Sequence, residues 1–450
     1  MSAAVSCLET GKAAGREPRI GVLERAPEAE RGGSTHWTGA AMRVEEDFTL
    51  DPTWVGRVQE VSNGLADLEY CQTLEREVPI RTAPFLRTHG IEFMHVSSEG
   101  SPNNLTLAWP NGGGLAIVDA LARVLEEDPG ASILYETEAV RLSISEDGRV
   151  DGVVVRGSDG LLRTLHAGAV VLACGGFEGN HEMLTRYVGR NAVDLKVLAP
   201  GTQYNKGDGI RMAVEIGAAT AGQFDGIHAE LIDIRSERAA AMLHGHPYTI
   251  AVNGDAKRFT DEGIKYFPDS FELIAYEVWD KHNQTAFLIT DELIMSNDAL
   301  TRWFESDVPP VKTDSIRELA VQLGLDPDAL EATVEEFNAA CDEDTPFDPF
   351  VLDGKGTRGL EPPKSNWASP LTHPPFYGYP VAAAICFTFG GLKTDTSARV
   401  LSTAGVPIPG LYAAGELTGL FYHEYPGGTS VLRSVTFGHI AGEHAAQAVT

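Results

Sequence analysis

Three glycine-rich turns carry the strongest chemical signal in this chain: Phe389-Gly390-Gly391-Leu392, Gly410-Leu411-Tyr412-Ala413-Ala414-Gly415-Glu416 and Tyr425-Pro426-Gly427-Gly428-Thr429. Glycine has no Cβ and reaches φ > 0, so it marks places where backbone presses closely on a ligand. A short strand and the start of a helix lie between the turns, a layout that suits a flat, extended cofactor. A second signal stands near the other end. Arg19-Ile20-Gly21-Val22-Leu23-Glu24 reads as a short buried strand ending in an acid, after a helix over residues 1–16. That order is the second half of a dinucleotide-binding βαβ unit, whose acid receives the ribose hydroxyls of an adenosine. Glu24 fits the role; the alternative is a solvated strand-end carboxylate. The stretch Arg31-Gly32-Gly33-Ser34-Thr35-His36-Trp37-Thr38-Gly39 then reads as a loop able to donate to phosphates.

The first half of the βαβ unit, a strand and a G-x-G-x-x-G loop, is not seen: Met1 stands where that loop would pass into the helix. The loop's N–H groups and the helix N-terminus normally hold a pyrophosphate. The reading is therefore either a start placed late or a chain without the loop, and the second leaves a cofactor-free binding module as an alternative function.

The elements that must position these residues follow from pattern. Residues 43–110 read as helical blocks and 115–127 as an amphipathic helix. Ile133–Leu142 reads as one strand, and Val150–Val155 with Thr164–His166 as a hairpin. The apolar run Ala169–Cys174 before Gly175-Gly176 reads as a parallel strand covered on both faces. Asp208 is placed at a helix N-cap, with Gly217 closing that helix. Residues 225–365 carry more charge, with helices around 271–282, 314–323 and 327–341, and read as an inserted domain between segments 1–224 and 366–450.

The chain has 450 residues, which predicts more than one domain. Its 64 acidic against 35 basic residues give a formal net charge of −29, which excludes nucleic acid as a natural partner. Five cysteines (Cys7, Cys71, Cys174, Cys341 and Cys386) without a CxxC pair predict reduced thiols in a cytoplasmic protein and no zinc ribbon. There is no apolar run long enough to span a membrane and no secretory leader in the first thirty residues.

Taken in order, Val22-Leu23-Glu24, Gly32-Gly33-Ser34-Thr35, Ala173-Cys174-Gly175-Gly176-Phe177, Gly207-Asp208-Gly209, Arg258-Phe259-Thr260-Asp261-Glu262, Phe389-Gly390-Gly391 and Gly410–Glu416 resemble the flavoprotein family of fumarate reductases, succinate dehydrogenases and 3-ketosteroid dehydrogenases. Lys364–Ala368 and Tyr425–Thr429 are most similar to its tricarballylate dehydrogenase-like branch. The resemblance implies an α/β fold: a Rossmann-like FAD-binding domain with an inserted α+β capping domain over the substrate. It implies an FAD-dependent dehydrogenase or reductase acting on CH–CH groups of a small molecule, a tricarballylate-like carboxylate first and a 3-ketosteroid or fumarate second. A separate electron acceptor or carrier is implied as well.

By resemblance, Glu24 and Arg25 meet the adenosine ribose, and Ala139 or Val140 the adenine. Gly32, Gly33, Ser34, Thr35, Thr38 and Gly39 lie along the pyrophosphate and flavin. Ala173, Gly175, Gly176, Asn205 and Asp208 line the cofactor, Gly415 and Glu416 meet its ribityl or ribose hydroxyls, and Ser430, Val431 and Leu432 approach the pyrimidine edge of the ring. Ser34 stands where relatives tether flavin through a histidine, so FAD is expected to be non-covalent. Tyr266 and Tyr425 occupy positions where fumarate reductases have arginines, as in the ketosteroid dehydrogenases. Tyr266 is then the proton-transferring group or a core tyrosine. Tyr425, with the Thr429 N–H, polarises a substrate carbonyl or carboxylate. His423 shapes the pocket or lies on the surface, and Arg433 pairs with a carboxylate substrate or satisfies a carbonyl. His228 lies close to where relatives have a substrate-binding histidine. Arg258 is expected to anchor Glu262.

Overall fold

The computed structural model describes residues 1–96 and 106–449; the part of the expected 43–110 helical region that covers 97–105 lies outside the described residues. The first helix, Ser2–Ala13, packs on the last, Ser430–Ala448. Ser2 and Ser6 donate their hydroxyls to the carbonyls of Val435 and His439 at 2.9 and 2.8 Å, which ties the two ends of the chain together.

Beside this helix pair lie two pieces of parallel sheet. Ile20–Leu23 pairs in parallel with Ala131–Leu134, and Val170–Leu172 with Leu411–Ala413 of the strand Pro407–Ala413. Both differ in burial from the sequence reading. Gly21 is exposed and its strand neighbours are half-buried; Ala173 and Cys174, past the end of the second strand, are exposed. The expected strand 133–142 is two strands, Ala131–Leu134 and Glu138–Ile144. Glu136, at φ 50°, turns the chain between them, and the Thr137 N–H then closes on the Glu24 carbonyl at 2.9 Å. Glu138–Ile144 joins the hairpin Val150–Arg156 and Leu162–His166 as expected.

Of the expected helical region, Trp54–Val61 and Leu68–Glu77 are helices, whereas Phe93–Val96 and Leu107–Pro110 pair as antiparallel strands. The next helix, Gly113–Glu126, matches its reading.

There is also a six-stranded sheet. Its centre is the 13-residue strand Phe376–Thr388, antiparallel to Ile227–Asp233 on one side and to Ala286–Asp291 on the other, with Ile250–Asn253 beyond. Sequence pattern groups 376–388 with the C-terminal segment; in the fold it is the spine of the sheet formed by residues 227–313. Near-continuous apolar side chains in these strands are buried on both faces. The helices Phe267–Tyr276, Ile316–Leu323 and Pro327–Ala340 pack around it, the last two started by Ser315 and Asp326, whose side chains accept helix N–H bonds. Arg258 holds Glu262 through two bonds of 3.1 and 2.6 Å and also donates to the carbonyls of Thr260, Pro362 and Pro363. This buried clamp fastens 258–262 to the return segment.

Candidate active site and cofactor cradle

Six distant stretches meet here. Gly32 and Gly33 adopt φ 95° and 55°, and the chain enters a short helix, Gly33–Trp37, where sequence predicted a loop. Asn205 lies beside Gly33 and donates its amide to Glu178 Oε1 at 3.0 Å. Under it pass Gly175 and Gly176. Gly175 has φ 69° and a Cβ there would strike the Asn205 side chain; a Cβ on Gly176 would strike Thr388 Oγ1 and Glu416 Oε1. Glu416 in turn accepts from the Thr388 N–H at 2.9 Å, and Gly415 lies against Ser434 on the C-terminal helix. Gly33, Asn205, Gly175, Gly176, Gly415 and Glu416 are thus brought together.

Glu178 and Glu416 form a buried acid pair. Burial first, and then the charge of Glu416, push the Glu178 carboxyl well above its usual range. Burial also raises Glu416, against the pull of its Thr388 bonds.

The residues expected to meet the adenosine are tied into the protein as follows. Glu24 accepts from the N–H groups of Ala26 (2.9 Å) and Gly32 (3.3 Å), so it ties the strand tip to the glycine turn. Arg25 pairs with Asp208 and Glu138. Asp208 is the first residue of its helix, not the N-cap: Gly207, at φ 74°, takes that place, and the carboxylate serves Arg25 and Arg211. The carbonyl of Val140, beside Ala139, accepts from Arg211 at 3.1 Å. Thr38 Oγ1 accepts from Ala40 N, the Thr35 carbonyl lies against Gly114, and Gly39 packs on the Trp109 ring.

Tyr425, expected to polarise a substrate carbonyl or carboxylate, is buried. Its phenolic oxygen accepts the backbone N–H groups of Thr429 at 2.7 Å and Ser430 at 2.8 Å, where the C-terminal helix begins. The expected Thr429 N–H donor therefore acts on the phenol rather than directly on a ligand. With both acceptor positions filled, the phenol O–H is left as a donor. The rings of Phe421, Phe387 and His228 surround it at 4.9, 5.0 and 5.0 Å.

The other proposed reactive residues scatter. Tyr266 is buried against Trp367 and donates to the Phe350 carbonyl at 3.3 Å, and Lys265 turns to Glu424 instead. His423 is exposed at φ 62°, with its N–H on Gln223. Arg433 is buried over the Phe421 ring and donates to the Thr418 carbonyl at 3.1 Å. Val431 and Leu432 bury their side chains in the core, while their N–H groups belong to the first turn of the helix, which has no intrahelical acceptors for them.

What sequence reasoning largely missed is the acid–histidine cluster behind Tyr425. His228 Nδ1 bonds Glu272 Oε1 at 2.9 Å and its Nε2 bonds Glu230 Oε1 at 3.1 Å. Glu230 Oε2 bonds His244 Nε2 at 2.6 Å, and Glu272 Oε2 accepts the Tyr425 N–H at 3.1 Å. Burial opposes charge on His244, but Glu230 outweighs it and lifts the imidazole to about 9. Burial likewise opposes charge on His228, and Cys386, Glu230 and Glu272 outweigh it, holding the ring well above its usual value. Burial raises the Cys386 thiol to about 12 and the Glu272 carboxyl above its range. The available signal was a histidine and a glutamate two apart in an otherwise apolar strand.

A family model described as an FAD binding domain matches residues 29–432. The chain belongs to this FAD-binding family. The flavoprotein is 31% identical over 364 residues to a 3-oxosteroid 1-dehydrogenase of Mycobacterium tuberculosis, covering 74% of this chain and 63% of the relative. It is 30% identical over 352 residues to an NADH:acrylate oxidoreductase of Vibrio harveyi (75% and 32% covered), and 30% over 346 residues to a probable fumarate reductase of Shewanella frigidimarina (75% and 54%). The chain thus spans between 32% and 63% of the length of these relatives. Among solved structures, the open conformation of a flavocytochrome c3 fumarate reductase superposes with a TM-score of 0.79 at 24% identity, covering 100% of this chain and 77% of that one. A 3-ketosteroid-delta4-(5alpha)-dehydrogenase from Rhodococcus jostii gives 0.71 at 24% identity, covering 99% and 94%. The fold is the Rossmann-like FAD-binding domain with an inserted α+β capping domain. Among the described residues, no helix is long and apolar enough to cross a membrane.

The residues present fit FAD. Buried Ser34 Oγ, Trp37 Nε1 and Thr429 Oγ1 have no protein partner; the first two lie on the helix that Gly33 begins and the third at the start of the C-terminal helix. Gly33, Ser34, Asn205, Gly175, Glu416 and the N–H groups of Val431 and Leu432 would hold the cofactor. When bound, FAD supplies a ring that takes up or releases a hydride.

Proposed function

We propose that this flavoprotein is an FAD-dependent oxidoreductase that interconverts a CH–CH unit and a C=C bond next to a carbonyl, with FAD held non-covalently. The observation that carries this reading is the Tyr425 phenol, which accepts two backbone N–H bonds at a helix start and is enclosed by apolar rings. A helix N-terminus stabilises negative charge. A carbonyl oxygen that accepts the Tyr425 O–H draws electron density from its α-carbon and makes that C–H acidic, as oxyanion donors do elsewhere. In the oxidative direction the α-carbon would give its proton to the protein, and FAD, when bound, would supply the acceptor for the hydride of the β-carbon. The electron pair left by the proton becomes the new π bond. Phe387 and Phe421 keep water from the developing enolate.

We place a neutral ketone ahead of the tricarballylate-like or fumarate-like acid expected from sequence. The rings of Phe387 and Phe421 pack at 5.0 and 4.9 Å from the Tyr425 ring, an apolar setting that suits a neutral ketone better than a polycarboxylate. The relatives' names include both an oxosteroid dehydrogenase and a fumarate reductase. Non-covalent attachment is supported by Ser34 at the expected tether position and by His36, whose Nδ1 is 2.8 Å from the Arg31 carbonyl. Electrons then pass to or from a separate partner.

The test is anaerobic turnover by FAD-loaded protein with cyclic ketones, including a 3-ketosteroid, and with tricarballylate and succinate, each with an artificial acceptor. Ketone-dependent reduction of the acceptor is expected. Turnover of the carboxylates alone would reverse the order of substrates, and a protein that cannot retain FAD would leave only the binding-module alternative.

A further inference from the structure

The turn that carries Tyr425 is fixed from two sides. On one side stands buried Arg43. Its backbone N–H bonds the Gly428 carbonyl at 2.8 Å, and its Nε bonds the Gly427 carbonyl at 3.0 Å. Asp51 holds the guanidinium at 3.3 Å. Gly428 has φ 77°, and a Cβ there would stand 3.1 Å from the Arg43 Cβ, so the turn lies flat on this residue where glycine fits best. The Gly427 N–H closes back on the Tyr425 carbonyl at 2.8 Å. These bonds hold the residues after Tyr425 and leave its own N–H to the other side. There Glu272 Oε2 accepts it at 3.1 Å. Glu272 is buried on the helix Phe267–Tyr276, which packs on the strands Ile227–Asp233 and Phe376–Thr388. Its other oxygen, Oε1, bonds His228 Nδ1 at 2.9 Å, and His228 Nε2 bonds Glu230 Oε1 at 3.1 Å, which locks the carboxylate in one orientation. The His228 ring meets the Tyr425 ring edge to face, with centroids 5.0 Å apart.

We infer that Glu272 is a positioning residue for Tyr425: by holding the Tyr425 N–H it fixes the backbone from which the phenol reaches its two helix N–H donors, and so fixes where the phenol O–H points. Its effect on turnover rests on the oxidoreductase reading above; its hold on the tyrosine does not. The phenolic oxygen must stay within reach of both Thr429 N and Ser430 N, at 2.7 and 2.8 Å, and rotation of the Tyr425 backbone would break that double contact. A misplacement of about 1 Å at a group aimed at a reacting centre costs about 100-fold in rate. A carboxylate is suited to the task because a charged acceptor binds an N–H more strongly than a neutral one. Two ion pairs dock the same stretch of chain beside this tie. Lys265 Nζ reaches Glu424 Oε1 at 3.1 Å, next to Tyr425, and Asp269 pairs with Arg57. Residues 265, 269 and 272 thus meet residues 424, 57 and 425, and the last of these contacts falls on the tyrosine itself.

The test compares the FAD-loaded parent with Glu272→Leu, which offers no acceptor, and Glu272→Gln, which keeps one. Amide hydrogen exchange, read residue by residue, is the first measurement. The Tyr425 amide is expected to be protected in the parent and in Glu272→Gln, and to exchange at least about tenfold faster in Glu272→Leu, while the distant helix Pro327–Ala340 keeps the parent rate. A Tyr425 amide that is unprotected in the parent, or equally protected in Glu272→Leu, overturns the inference. If Glu272→Leu does not fold, Glu272→Asp carries the same expectation, because its carboxylate stops one methylene short of the Tyr425 N–H. Turnover is the second measurement. Glu272→Leu should lower kcat per bound flavin by about tenfold or more with KM within about twofold of the parent, the mark of an interaction made in the transition state, and Glu272→Gln should recover most of the loss. A merely structural role would lower flavin content or stability and leave kcat per bound flavin at the parent value, and that result overturns the kinetic role. A parent that turns over neither ketone nor acid sinks the functional reading, and the exchange measurement still decides whether Glu272 holds Tyr425.

Discussion

Thr429 donates its backbone N–H to the phenolic oxygen of Tyr425, four residues earlier, at 2.7 Å, and this bond turns a side chain into the tip of a helix. The C-terminal helix brings its partial positive charge to the phenol, and the phenol passes it on through its own O–H. Tyr425→Phe should therefore lower kcat by about 100-fold while FAD content holds. Turnover within a few-fold of the parent would remove the phenol from the chemistry. The lost acceptor also strands two N–H groups, so a fall in stability of about 1–3 kcal/mol is expected alongside.

Gly176→Ala tests the cradle without touching the reactive pocket. An added Cβ collides with Thr388 Oγ1 and Glu416 Oε1, and neither has room to retreat because each is bonded to the other's segment. FAD retention should weaken by at least about tenfold, or about 1.4 kcal/mol, read from visible flavin absorbance per protein with far-UV dichroism as the control for folding. Full retention would mean that this turn does not line the cofactor.

The glycine turns were legible in sequence because backbone approach has no substitute for glycine, and the spacing from Gly175 to Glu416 survives into space. The Arg258–Glu262 clamp was legible because four residues separate a buried cation from its anion. The acid–histidine cluster was not. Its members come from the strand Ile227–Asp233, the turn at His244 and the helix Phe267–Tyr276, and only antiparallel pairing across 376–388 brings these together. Tyr266 was left open between proton transfer and a core role, because side-chain direction is not written in sequence: the local backbone sends Lys265 to Glu424 and the tyrosine ring to Trp367. The break at Glu136 was invisible because the residues on either side have equal strand preference.

Glu178→Gln should stabilise the protein at neutral pH. The Glu178 carboxyl is held well above its usual range by burial and by Glu416, so folding takes up a proton there. A carboxyl whose folded value is raised adds no penalty below its unfolded value and an increasing one as pH climbs toward the folded value. The amide keeps the Asn205 contact region polar and cannot ionise. Its melting temperature should exceed that of the parent by about 2 °C or more at pH 7, and the gap should close toward pH 4. A lower melting temperature at both pH values would show that the acid pair is held by its bonds rather than opposed by its charge.

His244 sets the opposite slope at alkaline pH. Its folded value of about 9 lies above the ordinary value of 6.5, because Glu230 outweighs burial. A raised imidazole contributes stability that is complete below about pH 6.5 and is lost as pH rises through about 9; Glu230, held low by His244 and His228 against burial, contributes stability that is lost only as acid protonates it. Lys364 runs the other way in the same alkaline window: burial lowers it from 10.5 to about 8, so its own term favours folding as pH rises from 8. The parent curve alone therefore mixes two signs, and the difference between parent and His244→Gln isolates one. That difference should be largest, about 3 kcal/mol at most, at pH 6 and should shrink steadily to near zero by about pH 10. Chemical denaturation at four pH values measures it. A difference that stays flat across this window would show that His244 is held as a neutral ring, and that Glu230 keeps its charge without it.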